Sequence, residues 1–492
     1  MPVSRRSLLP HLLIFIAVVT LYRLFILTHA QNYIDLYADE AYYWGWAQHF
    51  DFGYYSKPPM VAWLIMAGTA LFGDTFVGIK IMSLAVYVLT TLNIYFLAKA
   101  LFQDETVAFF SGAAFLTLPA VWLSSLIVST DVPFLFFWSL AMLFFVKAVK
   151  YDRWRDWIIT GIAGGGGLMS KYTMVIFVVS ALVYLAGSQT YRHHLKNPKL
   201  YAAMGIAALL FLPNLWWNYT HDFVSVKHVS HDNAKIRGLH FRVNKMLEFL
   251  ASQFGVFGPI FFGWLLALLP KTKTLFQKES YRLLWWFIVP MFGLILTISL
   301  LSRAFANWSA PMYVASTVLV TAWLVYHRRR WLYAALIVNI VLGLGLYHLH
   351  QITDAVGIEM GRHDPYNRVR GWKRLAEAVS SLLARHPDAK LLSDDRKELA
   401  EMIYYVRPHP FNALIWNPDG SKKNQYEMDT DMNRHIGENF ILITEEPDRI
   451  EEVAPSFEEV KPLKTIQVPI TKGFEMVYYV YYLKHFKGYE KQ

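Results

Sequence analysis

Long apolar runs, separated by short polar turns from residue 9 to about residue 349, constrain this chain more than any other feature. A hydrocarbon core ~30 Å thick takes about 20 apolar residues to cross as helix, because no unpaired backbone group is stable there. Runs near 9–28, 76–100, 107–123, 132–149, 157–170, 173–187, 200–216, 254–269, 283–301, 310–326 and 331–349 are the candidates, roughly eleven transmembrane helices in all, several of them short. The expected fold is therefore mainly α, a polytopic membrane protein. Charged residues are 17% of the 492, below the roughly one quarter of a soluble domain. The net charge of +10 would suit nucleic acid, but the basic residues sit in short turns, which reads as topology and gives no nucleic-acid partner. Cysteine is absent, which excludes disulfides, thiol catalysis and cysteine metal sites.

The first run is long and lacks a small-residue cleavage site, so it reads as an uncleaved span behind Arg5 and Arg6. With those arginines inside, the inner turns should be basic. They carry Lys147, Lys150, Arg153 and Arg155, then Arg192, Lys196 and Lys199, then Lys271, Lys273, Lys278 and Arg282, then Arg328, Arg329 and Arg330, and only the turn 101–106, with Lys99 nearby, is uninformative. The outer segments are then 29–75, 124–131, the tight turn 171–172, 217–253 and 302–309. Pro59–Phe72 is apolar but too short to cross, and Pro58–Pro59 suits a helix start, so an interfacial helix is expected there. Residues 1–349 form the expected transmembrane catalytic domain, with 29–75 its outer catalytic loop and 217–253 a second outer loop. Residues 350–492 turn polar and predict a small outer α/β domain. It should hold a helix over Trp372–Leu383, strands at Lys390–Leu392, Asn439–Thr444 and Val477–Leu483, and a core near Leu391, Tyr404, Leu414, Ile441 and Tyr478. Gly164–Gly167 lacks a following Lys-Ser/Thr and reads as a close helix contact, not a phosphate loop.

Chemistry-bearing residues gather at span ends on the outer side. The stretch YADEAYYWGWAQHFDFGYYSKPP holds Asp39, Glu40 and Lys57 among aromatics. Asp131 lies in STDVP, Lys171 in LMSKYT, and Arg303 and Asn307 in SRAFANW. Each has a plain alternative: Asp39 or Asp131 as a helix cap, Lys171 or Arg303 reaching to headgroups, the aromatics as an interfacial belt. As a set they favour a site. A sugar on a lipid phosphate is activated because the phosphate leaves as an anion. Lys57 and Arg303 suit that anion, and Asp39 suits the proton of an incoming hydroxyl. Glu40 falls on another helix face and reads as an orienting or binding group. Tyr42, Tyr43 and Tyr55 suit stacking on a sugar or lining a lipid groove. His221, His228, His231 and His240, with Asp222 and Asp232, match no metal motif. A polar loop contacting the acceptor is the favoured reading, with a divalent cation left open and no metal ligand assigned.

The DE pair, the YYSKPP end, the STDVP turn and the Arg303-to-Trp308 segment resemble the polyprenyl-phosphate-dependent GT-C glycosyltransferases over about residues 1–350. The nearest branches are bacterial relatives of protein O-mannosyltransferases, the ArnT aminoarabinose transferases and the rhizobial lipid A and core galacturonosyltransferases. The resemblance implies an inverting enzyme that takes one sugar from an undecaprenyl-type phosphate at the periplasmic face of a bacterial inner membrane. It implies Asp39 as the catalytic aspartate, Glu40 as its pair and Lys57 as the phosphate-binding lysine. Acceptors in view are lipid A, core oligosaccharide, another glycolipid or protein. An ArnT-like arginine soon after the acid pair is replaced here by Tyr42 or Tyr43, so aminoarabinose is not assigned. The competing class is a carrier or flippase for a lipid-linked sugar. That class calls for polar residues at mid-span, whereas Arg23, Lys80 and Asn93 stand alone or near span ends.

Overall fold

A computed structural model describes residues 7–228 and 241–489. They divide into two compact units. One comprises the described residues of Met1–Leu27, Lys57–Leu64 and Lys80–His348; the other comprises Thr28–Ser56, Ile65–Ile79 and the described residues of Leu349–Gln492.

Seven helices among the described residues are long and apolar enough to cross a membrane: Leu9–Ala30, Phe76–Phe102, Asp131–Tyr151, Pro198–Thr220, Glu279–Leu301, Ala306–His327 and Arg329–Tyr347. Shorter apolar helices are Met60–Phe72, Glu105–Thr117 and Tyr172–Gly187. The chain is thus a multi-span membrane protein. Leu13, Ile14, Val18 and Leu21 lie exposed along the first helix and Ile337 and Val341 along the last, a pattern stable only against lipid.

Two expected spans are interrupted, each at a proline. In 107–123 the helix Glu105–Thr117 stops at Leu118, which is extended (ψ 138°) because Pro119 follows, and a second helix runs Pro119–Ser124. In 254–269 the helix Val243–Val256 ends before Gly258, at φ +90° and followed by Pro259, and a new helix covers Pro259–Ala267. A Cβ on Gly258 would meet Asn339 Oδ1 at 2.4 Å. These breaks expose carbonyls, and buried polar side chains answer some of them. Arg23, 1% exposed, donates to the Leu116 carbonyl at 2.7 Å and lies over the Trp122 ring at 4.7 Å. Lys80 donates to the Leu126 carbonyl at 3.1 Å. Away from the breaks, Asn93 donates to Ser139 Oγ at 3.1 Å.

The helix Trp154–Leu168 carries the glycine run. A Cβ on Gly165 would stand 2.7 Å from Leu210 Cβ, and one on Gly166 2.4 Å from the Phe137 ring. Glycine here lets this helix lie close against both Asp131–Tyr151 and Pro198–Thr220, and so fixes where Asp131 and the turn after Leu168 can stand.

The second unit is built on a five-stranded sheet in the order β2-β1-β3-β5-β4. The strands are β1 (Ala389–Ser393), β2 (Leu414–Ile415), β3 (Asn439–Thr444), β4 (Phe457–Thr471) and β5 (Phe474–Phe486). β1 runs parallel to β2 and β3, and β5 antiparallel to β3 and β4. Leu391, Tyr404, Leu414, Ile441 and Tyr478 are all buried. The tail helix is Trp372–Arg385, with Leu375, Ala376, Val379 and Leu382 on its buried stripe. A second helix, Arg396–Tyr405, is capped by Asp395, whose carboxylate accepts from the Lys397 and Glu398 amides. The early segment 28–56 folds onto this domain: Asp35 accepts from the Trp372 amide at 2.8 Å, and the Leu36 amide donates to Tyr405 Oη at 2.8 Å.

Candidate functional site

In the sheet-bearing unit, the acid pair opens the helix Ala38–Trp46, whose N-terminal dipole favours both carboxylates. Their fates differ. Glu40 is fully buried, and its Oε2 accepts from the Tyr37 amide at 2.9 Å, closing the first turn. Asp39 remains partly open, and its Oδ1 accepts from Arg396 Nη1 at 3.0 Å. Among the described residues no partner is found for Asp39 Oδ2. The Arg396 guanidinium also lies over the Tyr42 ring at 4.5 Å. Burial pulls the Arg396 pKa down, but the Asp39 carboxylate and the ring hydroxyls more than offset this and raise it. Asp39 and Arg396 line a cavity of about 540 Å³, together with Tyr37, Arg368, Glu398 and Tyr478.

The aromatics of this segment are core, which corrects the stacking role expected for Tyr42, Tyr43 and Tyr55. Their residual exposures are 2%, 8% and 3%. Tyr42 Oη accepts from the Gln425 amide at 2.5 Å, and its ring packs 4.8 Å from Trp46 and 5.3 Å from Tyr426. Tyr43 packs on Trp46 at 4.8 Å, and the Tyr55 amide donates to Gln425 Oε1 at 2.7 Å. Covering these rings with the short helix Gln425–Asp429 buries apolar area that an interfacial belt would leave in the headgroups.

In the helical unit three of the expected residues meet. Asp131 starts its helix at 6% exposure. Its Oδ1 accepts from Lys171 Nζ at 2.7 Å and its Oδ2 from Asn307 Nδ2 at 2.6 Å. Lys171 is the extended residue (φ −160°) between Trp154–Leu168 and the 3₁₀ turn Tyr172–Met174. Asn307 lies in the 3₁₀ turn Ala306–Ser309. Buried Gln253 clamps that turn: its Oε1 accepts from Ser309 Oγ at 2.9 Å and Tyr313 Oη at 2.6 Å, while its Nε2 donates to the Ala306 carbonyl at 3.3 Å. Both Asp131 oxygens are engaged, and the Lys171 ammonium and Asn307 amide carry more N–H groups than these two bonds use. Lys57 is half-buried, and three residues later the Met60 amide donates to the Met169 carbonyl at 3.0 Å, tying this segment to the Lys171 turn. Arg303 is exposed, its guanidinium 4.9 Å from the Phe305 ring.

Of the histidine group, His231, His240 and Asp232 lie outside the described residues. His221 stacks on Trp217 at 4.2 Å, and no three metal-capable side chains meet among the described residues.

Residues 56–217 match the family described as dolichyl-phosphate-mannose-protein mannosyltransferase. The lipid A galacturonosyltransferase RgtD of Rhizobium johnstonii is 29% identical over 84% of this chain and 86% of its own. An undecaprenyl phosphate-α-4-amino-4-deoxy-L-arabinose arabinosyl transferase of Pseudomonas fluorescens is 26% identical over 34% of this chain and 31% of its own. The crystal structure of ArnT from Cupriavidus metallidurans bound to undecaprenyl phosphate superposes with a TM-score of 0.62 at 14% identity, covering 95% of this chain and 98% of that one. The chain shares the fold of ArnT. Lys57, Asp131 and Lys171 fall inside the family match, whereas Asp39, Glu40, Arg303 and Asn307 fall outside it. Arg396 and Gln253 were invisible to sequence reasoning. Each is one polar residue in an unremarkable context, 357 positions from Asp39 in the first case and 56 from Ser309 in the second.

Proposed function

We propose that this protein is a glycosyltransferase that moves one sugar, with inversion, from an undecaprenyl-type phosphate to lipid A or core oligosaccharide, working at the periplasmic face of a bacterial inner membrane. The observation that carries this reading is the meeting of Lys171 and Asn307 on buried Asp131 (2.7 and 2.6 Å): three turns far apart in sequence build one donor-rich anchor. Support comes from the relatives, which are named for transfer to lipid A and from undecaprenyl phosphate-linked aminoarabinose, and from the undecaprenyl phosphate in the ArnT structure. A glycolipid acceptor follows from the same names better than a protein does.

In the proposed step the acceptor hydroxyl oxygen bonds to the anomeric carbon. The bond from that carbon to the phosphate oxygen breaks, and its electron pair leaves with the polyprenyl phosphate. Asp39 takes the hydroxyl proton. Lys57 and Arg303 bind the donor phosphate and offset the charge that grows on it. Asp131, Lys171 and Asn307 position the donor, and Glu40 fixes the turn that presents Asp39. The mid-span polar groups Arg23, Lys80 and Asn93 are bonded to carbonyls or hydroxyls within the bundle, a structural use that argues against a transport path.

The test is Asp39→Asn in proteoliposomes. Transfer should fall by about 10²–10⁴-fold, the usual contribution of a general base, with donor binding kept. Transfer near the wild-type rate would refute the role of Asp39.

A further inference from the structure

The carboxylate assigned as base is not held by its own segment. Where that segment has aromatics after the acid pair, a cation arrives from the tail domain: Arg396 donates to Asp39 Oδ1 at 3.0 Å and lies 4.5 Å above Tyr42. We infer that Arg396 is the positioning residue of the proton-accepting carboxylate, holding Oδ1 so that Oδ2 is left to take the acceptor proton, and that the tail domain thereby completes the catalytic machinery. The inference rests on Asp39 being the base.

Three observations support it. First, Arg396 is the first residue of its helix, where the dipole disfavours a cation, so its position calls for a compensating anion; Asp39 supplies it. Second, the side chains are 28% and 42% exposed, and ion pairs this open contribute little to stability. A purely structural role is a weak account of a contact linking residues 39 and 396. Third, the neighbours fix the guanidinium plane. Tyr42 beneath it is locked by the Gln425 amide and the Tyr426 ring, which leaves Arg396 little freedom to swing from the carboxylate. Both residues also line the 540 Å³ cavity, which gives an acceptor hydroxyl a route to the second oxygen.

The experiment uses the full-length enzyme in proteoliposomes with a synthetic polyprenyl-phosphate sugar and a lipid A acceptor. Arg396→Met should lower kcat by about 10²-fold, the scale of a misplaced catalytic group, with the donor KM unchanged within about twofold. Arg396→Lys, which keeps the charge but loses the planar fork, should recover part of that loss. In the Asp39→Asn background the Arg396→Met change should have no further effect, because Arg396 acts only through Asp39. An unchanged kcat in Arg396→Met, or the same loss again in the Asp39→Asn background, overturns the inference while leaving Asp39 as base. Full activity of Asp39→Asn overturns the reading beneath it instead. If Arg396→Met does not fold, Arg396→Lys decides: a kcat loss at constant donor KM supports the inference, and no loss overturns it.

Discussion

Replacing Lys171 by Met tests the anchor at Asp131 most sharply. The change leaves a carboxylate at 6% exposure with one oxygen stripped of a charge partner that stood 2.7 Å away. Breaking a buried ion pair by removing one partner costs about 3–5 kcal/mol. The Asn307 hydrogen bond to the other oxygen survives, which places this case near the low end, about 3 kcal/mol. Removing both charges, in Lys171→Met with Asp131→Asn, takes away the unpaired carboxylate and should return about half of that, since an uncharged pair in a buried site is often nearly neutral. The double variant should then lose less than Lys171→Met alone, and so less than the two single losses added together. At about 2 °C per kcal/mol for a large unit, Lys171→Met lowers the melting temperature by about 6 °C, and the double variant by about half as much. Tryptophan fluorescence in detergent reads the melting, and donor turnover measured alongside should fall in the same order. If the double variant loses as much as the two single variants added together, no ion pair joins these residues and the anchor does not exist.

Glu398 gives a pH-dependent prediction. Burial, then the charges of Asp394, Asp395 and Glu445, raise its pKa well above the usual carboxylate value. The folded chain keeps this proton while the unfolded chain releases it above the ordinary pKa of about 4.3. Stability is therefore lost as pH rises from there through the folded value. Glu398→Gln should melt higher than wild type at about pH 8 and equally at about pH 4; a pH-independent difference between the two proteins would refute this. Gly166→Leu places side-chain atoms where Phe137 already stands, 2.4 Å from the new Cβ. It should separate Trp154–Leu168 from Asp131–Tyr151 and cost about 1–3 kcal/mol of overpacking, seen as a lower melting temperature with reduced turnover; an unchanged melting temperature would refute the close contact.

Lipid-facing helices are legible in sequence because a bilayer leaves them no alternative to long apolar runs. The same apolarity hid the breaks at Leu118–Pro119 and Gly258–Pro259, since a run of hydrophobic residues reads as one span even where proline stops the helix. In the tail, β1, β3 and β5 were foreseeable from buried apolar residues. β4 was not: it pairs with β5 at the sheet edge, most of its residues face water, and its buried residues alternate only over Ile466–Val468. At the site, Asp131, Lys171 and Asn307 were visible as polar residues at span ends, but nothing local shows that two of them close on the third. Tyr42, Tyr43 and Tyr55 had the same composition as an interfacial belt; residues near 425, far along the chain, are what make them core. Glu40 and Asp39 are neighbours of identical charge, and only the Tyr37 and Arg396 contacts separate a cap from a candidate base.

The central claim is group transfer from a lipid phosphate. Purified protein in vesicles that hold a defined undecaprenyl-phosphate sugar and lipid A, followed by mass spectrometry of both lipids, tests it directly. The account predicts that lipid A gains the mass of one sugar residue and that one polyprenyl phosphate is released for each. Donor that crosses the bilayer intact, with no gain of mass in any acceptor, would contradict it.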